Sequence, residues 1–263
     1  MKYIILLAFI SINTNLFSQP NFNIRKKDKS ILQIPINLID SVSFNIDNGS
    51  QFNPDLTYGT VTDIENNTYR TIQIGTQVWM AENLKVSKYN NGVTIPNITD
   101  KNEWANTSSG AWCYFNNNPS YNLHYGKLYN LFAVINSNKL CPTGWHVPTD
   151  NEWSILINYL DPFLNGGYDD NAVGGKLKST GTQFWKSPNA DATNSSGLSL
   201  LPGGARGNLG DFGVIGTTGA LTAAGFFWAS TFGAYRHVKS TDGIVGRLSY
   251  GNEVGFSVRC MKD

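Results

Sequence analysis

The sequence predicts an α+β fold, rich in loops, in which two main helices stand among short antiparallel strands. Three observations carry that expectation. Alternating apolar and polar runs occur toward both ends of the chain, two stretches repeat apolar residues at helical spacing, and glycine, asparagine, serine and threonine fill the connections. With 263 residues the chain can hold one large domain and a small appendage.

The first element is an export signal. Lys2 precedes an apolar run from Tyr3 to Ile12, and the polar patch Asn13-Thr14-Asn15 follows. This order is that of a secretory signal peptide. The run is too short to span a bilayer, which takes about 20 apolar residues. Cleavage is expected after the small Ser18, although Leu16 fits the site less well than alanine would. Residues 1–18 are thus read as the signal, and about 245 of the 263 residues remain. The first cysteine is Cys113, so none stands at the new N-terminus to carry a lipid anchor. No later apolar stretch is long enough to cross a membrane. The expectation is a soluble protein, not a lipoprotein, located in the periplasm, at the cell surface or outside the cell.

Composition narrows the partners. Charged residues make up 15% of the chain against the usual quarter or so, and the net charge is +1. Neither nucleic acid nor an anionic membrane surface is an expected partner. Apolar residues reach 41%, which excludes a disordered chain.

Residues 19–57 read as a short β segment and linker. Ile31–Ile36 and Val42–Ile46 alternate apolar with polar residues and are expected to pair, and the charge run Arg25–Lys29 reads as a solvated turn. Residues 58–263 read as the main domain. Thr60–Ile64 and Thr68–Ile74 flank Asn66-Asn67, a hairpin turn signal, and Gln77–Met80 adds a third strand. Residues 90–125 are loop-rich. The first helix is expected where Leu128, Leu131, Phe132 and Ile135 share one face. The second carries Trp153, Leu156, Ile157 and Leu160. Thr149 with Glu152 forms a capping box at its start, and Pro162 ends it. From 161 to 225 there is little periodicity, and the glycines from Gly203 to Gly219 match no phosphate-loop pattern. Phe226–Trp228 and Gly255–Cys260 read as closing strands.

Five stretches, in this order, carry a family resemblance: Gln77–Lys85, Gly126–Asn130, Cys141–Thr149, Leu201–Gly204 and Gly255–Cys260. Together they resemble the Fibrobacter succinogenes major paralogous domain over roughly residues 58–263. The resemblance implies a bacterial, exported domain. The segment Ile39–Phe44 is similar to one that often precedes such domains. Val147–Trp153 and Gly255–Ser257 are more distantly similar to the formylglycine-generating-enzyme fold, a relative of C-type lectin domains. That likeness implies a compact α+β domain with long surface loops, and it carries no function.

The chemistry of those distant relatives is not matched. The oxidases hold copper with paired cysteines late in the domain, whereas no cysteine lies between Cys141 and Cys260. The Glu-Pro-Asn and Trp-Asn-Asp motifs of calcium-dependent lectins are also missing. Asp169-Asp170 reads as a solvated turn. His124, His146 and His237 have no nucleophile elbow to serve, and His146 is expected to make structural hydrogen bonds. No metal or other cofactor is expected. Of the three cysteines, Cys141 and Cys260 are the favoured disulfide, with Cys113 paired to either as the rival.

These observations favour a secreted, non-catalytic binding or surface-interaction module, with glycans or a surface protein as partner. Trp185, Arg206, Asp211, Tyr235 and Arg236 are the candidate binding residues on the long loops. Buried core is the competing role for Trp104, Trp112, Trp185 and Trp228. The alternative functions are a hydrolase of envelope polysaccharide, which needs two converging carboxylates about 5–10 Å apart, and a purely structural envelope protein.

Overall fold

A computed structural model describes residues 21–25, 30–35, 50–162, 172–213 and 221–263. The chain forms two units, Met1–Asn48 and Gly49–Asp263. The first unit contains a hairpin of β1 (Asn21–Arg25) and β2 (Ile31–Pro35), paired antiparallel with Asn23 opposite Gln33. The strand expected at Ile31–Ile36 is therefore present, but its partner precedes it. Val42–Ile46 and the export signal lie outside the described residues.

The second unit begins earlier than the expected residue 58. Gln51 donates to the Ala81 carbonyl, Asn53 to that of Asn194, and the Phe52 ring lies 4.3 Å from the Arg70 guanidinium. Three strands follow as a meander: β3 (Gly59–Thr62), β4 (Thr68–Ile74) and β5 (Gln77–Met80). Asp63 organises the first turn. Its carboxylate accepts from the backbone amides of Glu65 and Asn67 and from the Tyr69 hydroxyl at 2.6 Å. Asn66 takes a positive φ of 63°, which asparagine tolerates better than most residues.

Loops and short helices come next. α1 (Lys101–Asn106) is capped by Asp100, and β6 (Trp112–Cys113) leads through two 3₁₀ turns to α2 (Asn122–Tyr125). β7 (Leu128–Tyr129) returns to pair with β6. The first expected main helix is reduced to one turn, α3 (Leu131–Val134). Asn130 is the reason. Its side chain accepts from Ala133 N and Ala111 N while donating to the Ser109 carbonyl, so the helix starts there and Leu128 stays in a strand. Ile135 is consequently exposed.

β8 (Trp145–His146) precedes α4 (Asp150–Leu160). This helix has the expected capping box of Thr149 and Glu152, and the Asp161 amide closes it on the Ile157 carbonyl. Its buried face presents Trp153 and Leu156; the Trp153 ring meets Trp79 at 4.6 Å. α5 (Val173–Leu177) leads into irregular chain. A three-stranded sheet then forms from β9 (Ala224–Trp228), β10 (Ala234–Lys239) and β11 (Val245–Ser249). β10 carries no clear strand signal in the sequence because the buried Arg236 breaks its apolar alternation, and β11, Val-Gly-Arg-Leu-Ser, has none to show.

Every residue of β9 is buried. Alternation sends Phe226 and Trp228 into one core with Tyr235 and Phe256, and Phe227 into another with Trp79 and Trp153. Gly255–Cys260 is extended but is not one strand. It bridges in turn to Arg206, Tyr129 and Phe227. The chain ends in β12 (Met261–Lys262), which pairs with β5 on one side and β8 on the other, completing a sheet of order β3-β4-β5-β12-β8. The mixed α+β class thus holds. Among the described residues α4 is the one helix longer than two turns, and no helix is long and apolar enough to cross a membrane.

Cys141 and Cys260 form a disulfide at the β8–β12 junction, across 119 positions of sequence. Cys113 is the free, buried thiol, and burial pushes its pKa up to about 12.

Irregular chain leaves carbonyls without ladder partners, and buried cations meet that need. Arg259 donates to the carbonyls of Met80, Leu198 and Ser199 and to the Asn83 side chain. Arg206 donates to Ile98, Thr99, Asp100 and Gly210 carbonyls while lying 4.4 Å from the Trp104 ring centroid. Lys178 donates to those of Ala190, Lys239 and Asp242. All three residues are fully buried.

Replacing Arg259 by methionine keeps most of its stem and strands these acceptors. A loss of about 3–5 kcal/mol in urea unfolding is expected, and a loss under about 1 kcal/mol would contradict this role. Serine at both Cys141 and Cys260 releases a loop worth about 5 kcal/mol by chain entropy. The unfolding midpoint of that variant, compared with the oxidised parent, measures it.

Candidate functional site

The residues expected to bind a ligand do not converge. Trp185 is buried in the second core and donates to the Leu200 carbonyl at 3.2 Å. Arg206 serves the loop before α1, as described above. Tyr235 is buried against Phe256, with ring centroids 4.7 Å apart. Arg236 is buried under the start of α4 and bonds the Asp150 carboxylate at 2.5 Å, which Arg247 also binds. Asp211 remains half exposed and pairs with Lys101 at 2.7 Å. Trp104, Trp112 and Trp228 are interior as well. Four of the five candidates are therefore structural in this conformation, which corrects the expectation of solvent-facing groups. The physical reason is the fold's shortage of regular structure. Its aromatics fill space and its arginines satisfy carbonyls, on loops that look open when read from sequence.

A cleft of about 320 Å³ opens elsewhere, between the end of α3, β8 and the loop after β9. Its floor is apolar: Leu140, Cys141, Trp145 and Val147 are buried. Its rim is polar, with Asn136, Lys139, His146, Ser230 and Asp263. Such a combination of apolar floor and sparse polar rim is what ligand sites use.

His146 is the centre of the rim. Nδ1 lies 2.6 Å from an Asp263 carboxylate oxygen, and Nε2 lies 3.0 and 3.1 Å from the two Glu152 oxygens. Glu152 is itself fixed by the capping box, accepting from the Thr149 amide at 2.7 Å and its hydroxyl at 2.9 Å. The helix cap thereby also orients the imidazole. An imidazole that meets a carboxylate at each nitrogen is best satisfied as imidazolium, donating twice. Burial opposes that charge, but the bonds to Asp263 and Glu152 outweigh it and raise the His146 pKa. Burial likewise opposes ionisation of Glu152, and its bonds to Thr149 and His146 outweigh this and lower its pKa. The two carboxylates hold the imidazole between them.

The sequence reading missed Phe232. It sits in the tight turn between β9 and β10, two residues past the cleft-lining Ser230, and its side chain is 95% exposed. Its φ is +33°, a strained value for a bulky side chain. The turn is held by Ala234 N to the Thr231 carbonyl at 2.8 Å and by Asp150 N to the Thr231 hydroxyl at 3.2 Å. The signal available in sequence was an aromatic residue beside Gly233 within a short connection.

The paired shifts define a pH window for the rim. The His146 contribution is complete below pH 6.5 and fades as pH rises through its raised folded pKa. That of Glu152 is complete above pH 4.5 and fades as pH falls through its lowered folded pKa. The stability difference between the parent and His146→Ala is thus expected to peak between pH 4.5 and 6.5. Urea unfolding across the pH range checks it; a difference that grows toward pH 9 would contradict the assignment.

No curated protein and no solved structure matches the chain. The family model of the Fibrobacter succinogenes major domain matches residues 72–262, a span that contains β8, α4, the turn with Phe232 and both disulfide cysteines. With most of its length matched, the chain belongs to the Fibrobacter succinogenes major domain family.

Proposed function

We propose that the protein is a secreted, non-catalytic recognition module that binds glycans in the cleft beside His146, with Phe232 as its aromatic lip. The observation that carries this reading is an apolar-floored cleft with a polar rim around His146, and two residues past its lining residue Ser230 the chain carries a 95% exposed phenylalanine at positive φ. Exposed aromatics in strained turns are retained where function needs them. A sugar ring offers an apolar face to stack on Phe232, and its hydroxyls find Asn136, Ser230, Lys139 and Asp263 along the rim.

Two features favour recognition over catalysis. Glu152 and Asp263 are both engaged by His146, so neither is poised as the proton donor of a glycosidase. The oxidase chemistry of the formylglycine-generating enzymes lacks its cysteine pair, since Cys141 and Cys260 are joined and Cys113 is buried. We assign the domain to the broader formylglycine-generating-enzyme and C-type-lectin-like fold on the helix entry at Val147–Trp153 and the low content of regular structure. Export follows from the signal-like N-terminus, and the disulfide suits an oxidising compartment.

A glycan array probed with the mature protein tests the reading, followed by calorimetry on the best ligand. Phe232→Ala is expected to weaken binding about tenfold, or about 1.4 kcal/mol, without a change in unfolding midpoint. A silent array, or equal affinity for the variant, would remove the proposal. Release of reducing sugar from an envelope polysaccharide would favour the hydrolase reading instead.

A further inference from the structure

The connection between α3 and β8 holds a lysine in a conformation that lysine seldom takes. Lys139 has a φ of +58°, in the left-handed region that glycine and asparagine enter more cheaply. Hydrogen bonds fix this turn from both sides. The Lys139 amide donates to the Asn136 carbonyl at 2.9 Å, and its own carbonyl accepts from the Asn90 amide at 2.8 Å. The Asn91 side chain donates to that of Asn138 at 2.8 Å, and that of Asn90 to the Thr143 hydroxyl at 3.1 Å. Lys139 lines the cleft and is exposed. Among the described residues it has no ion-pair partner, although Glu152 and Asp263 stand at the same end of the molecule. Both of those carboxylates are taken by His146 instead.

Taking the cleft as a glycan site, we propose that it selects an acidic sugar, whose carboxylate pairs with Lys139, and that His146 guards this choice by clamping Asp263. The charged groups around His146 come from each element packed on it. α4 supplies Glu152, while its Asp150 is turned to Arg236 and Arg247. The chain beyond β12 supplies Asp263; within β12, Met261 stands opposite His146 and Lys262 opposite Trp145. The α3–β8 connection supplies Lys139, and the chain after β9 supplies the uncharged Ser230. Protonated at both nitrogens, the imidazole donates to both carboxylates, so the cations and anions of the rim balance. A uronate then meets Lys139 with no free carboxylate competing for it. A neutral imidazole can donate from one nitrogen only. Glu152 is anchored by Thr149, and its side chain is 23% exposed against 60% for that of Asp263. Asp263 is therefore the partner released. It then stands on the rim as an unpaired anion, repels a uronate and competes for Lys139. The raised pKa of His146 places this change above pH 6.5.

Oligosaccharides of galacturonate, glucuronate and mannuronate, each beside its neutral carboxamide, test this on the folded mature protein. At about pH 5.5 the acid is expected to bind about tenfold tighter than its amide, a preference that shrinks to about twofold at about pH 8.5. Lys139→Gln loses the preference at both pH values, and Lys139→Arg keeps it. His146→Gln shows the weak preference at both. Acid and amide bound equally at the lower pH would overturn the acidic class and leave glycan binding in place. A preference unchanged by pH, or by His146→Gln, would overturn the clamp. If neither acids nor amides bind while neutral sugars on the array do, the acidic class falls alone; an array silent for every sugar removes both readings.

Discussion

Buried cations that donate to loop carbonyls hold this domain together. A fold with few ladders must still satisfy its interior peptide groups, because an unpaired buried carbonyl is expensive. Arg206, Arg259 and Lys178 answer that need with hydrogen bonds to backbone oxygens in place of salt bridges. Arg259 joins chain segments near residues 80 and 198 to the C-terminal stretch, and Arg206 joins the segment at 98–100 to the glycine-rich loop. Each behaves as a small crosslink with several arms. Burial lowers the pKa of Arg259 to about 9, so even there the guanidinium remains charged at neutral pH.

The second constraint is closure by the C-terminal strand. β12 enters between β5 and β8, and the disulfide fixes it one residue before that strand begins. This closure also builds the cleft. His146 and Asp263 are 117 positions apart in sequence and become neighbours only when β12 lies along β8. The capping box of α4 adds a further link, since Glu152 serves the helix start and the imidazole together. The same carboxylate stabilises secondary structure and sets the charge of the rim.

Aromatic residues divide by role. Those in the cores interlock around β9, whose alternation feeds two cores from one strand. Phe232 alone among the phenylalanines and tryptophans of the described residues projects so fully into solvent. Its backbone strain is carried by a turn whose two ends are hydrogen-bonded to α4 and β10.

Local signals in the chain specified the features that depend on nearby residues. Asn66-Asn67 between two alternating runs gave the first hairpin, and Thr149 with Glu152 and Pro162 gave the bounds of α4. The five ordered motifs gave the family, and the cysteine positions gave the favoured disulfide. Burial was decided only in three dimensions. Trp185, Arg206, Tyr235 and Arg236 look like loop groups in sequence, because no pattern marks an arginine that will satisfy distant carbonyls. Asn130 shortened the expected first helix by bonding Ala111 and Ser109, contacts no helical period can show. The cleft is likewise tertiary: it needs a strand pairing across more than a hundred residues, and such pairings are set by packing of the whole chain.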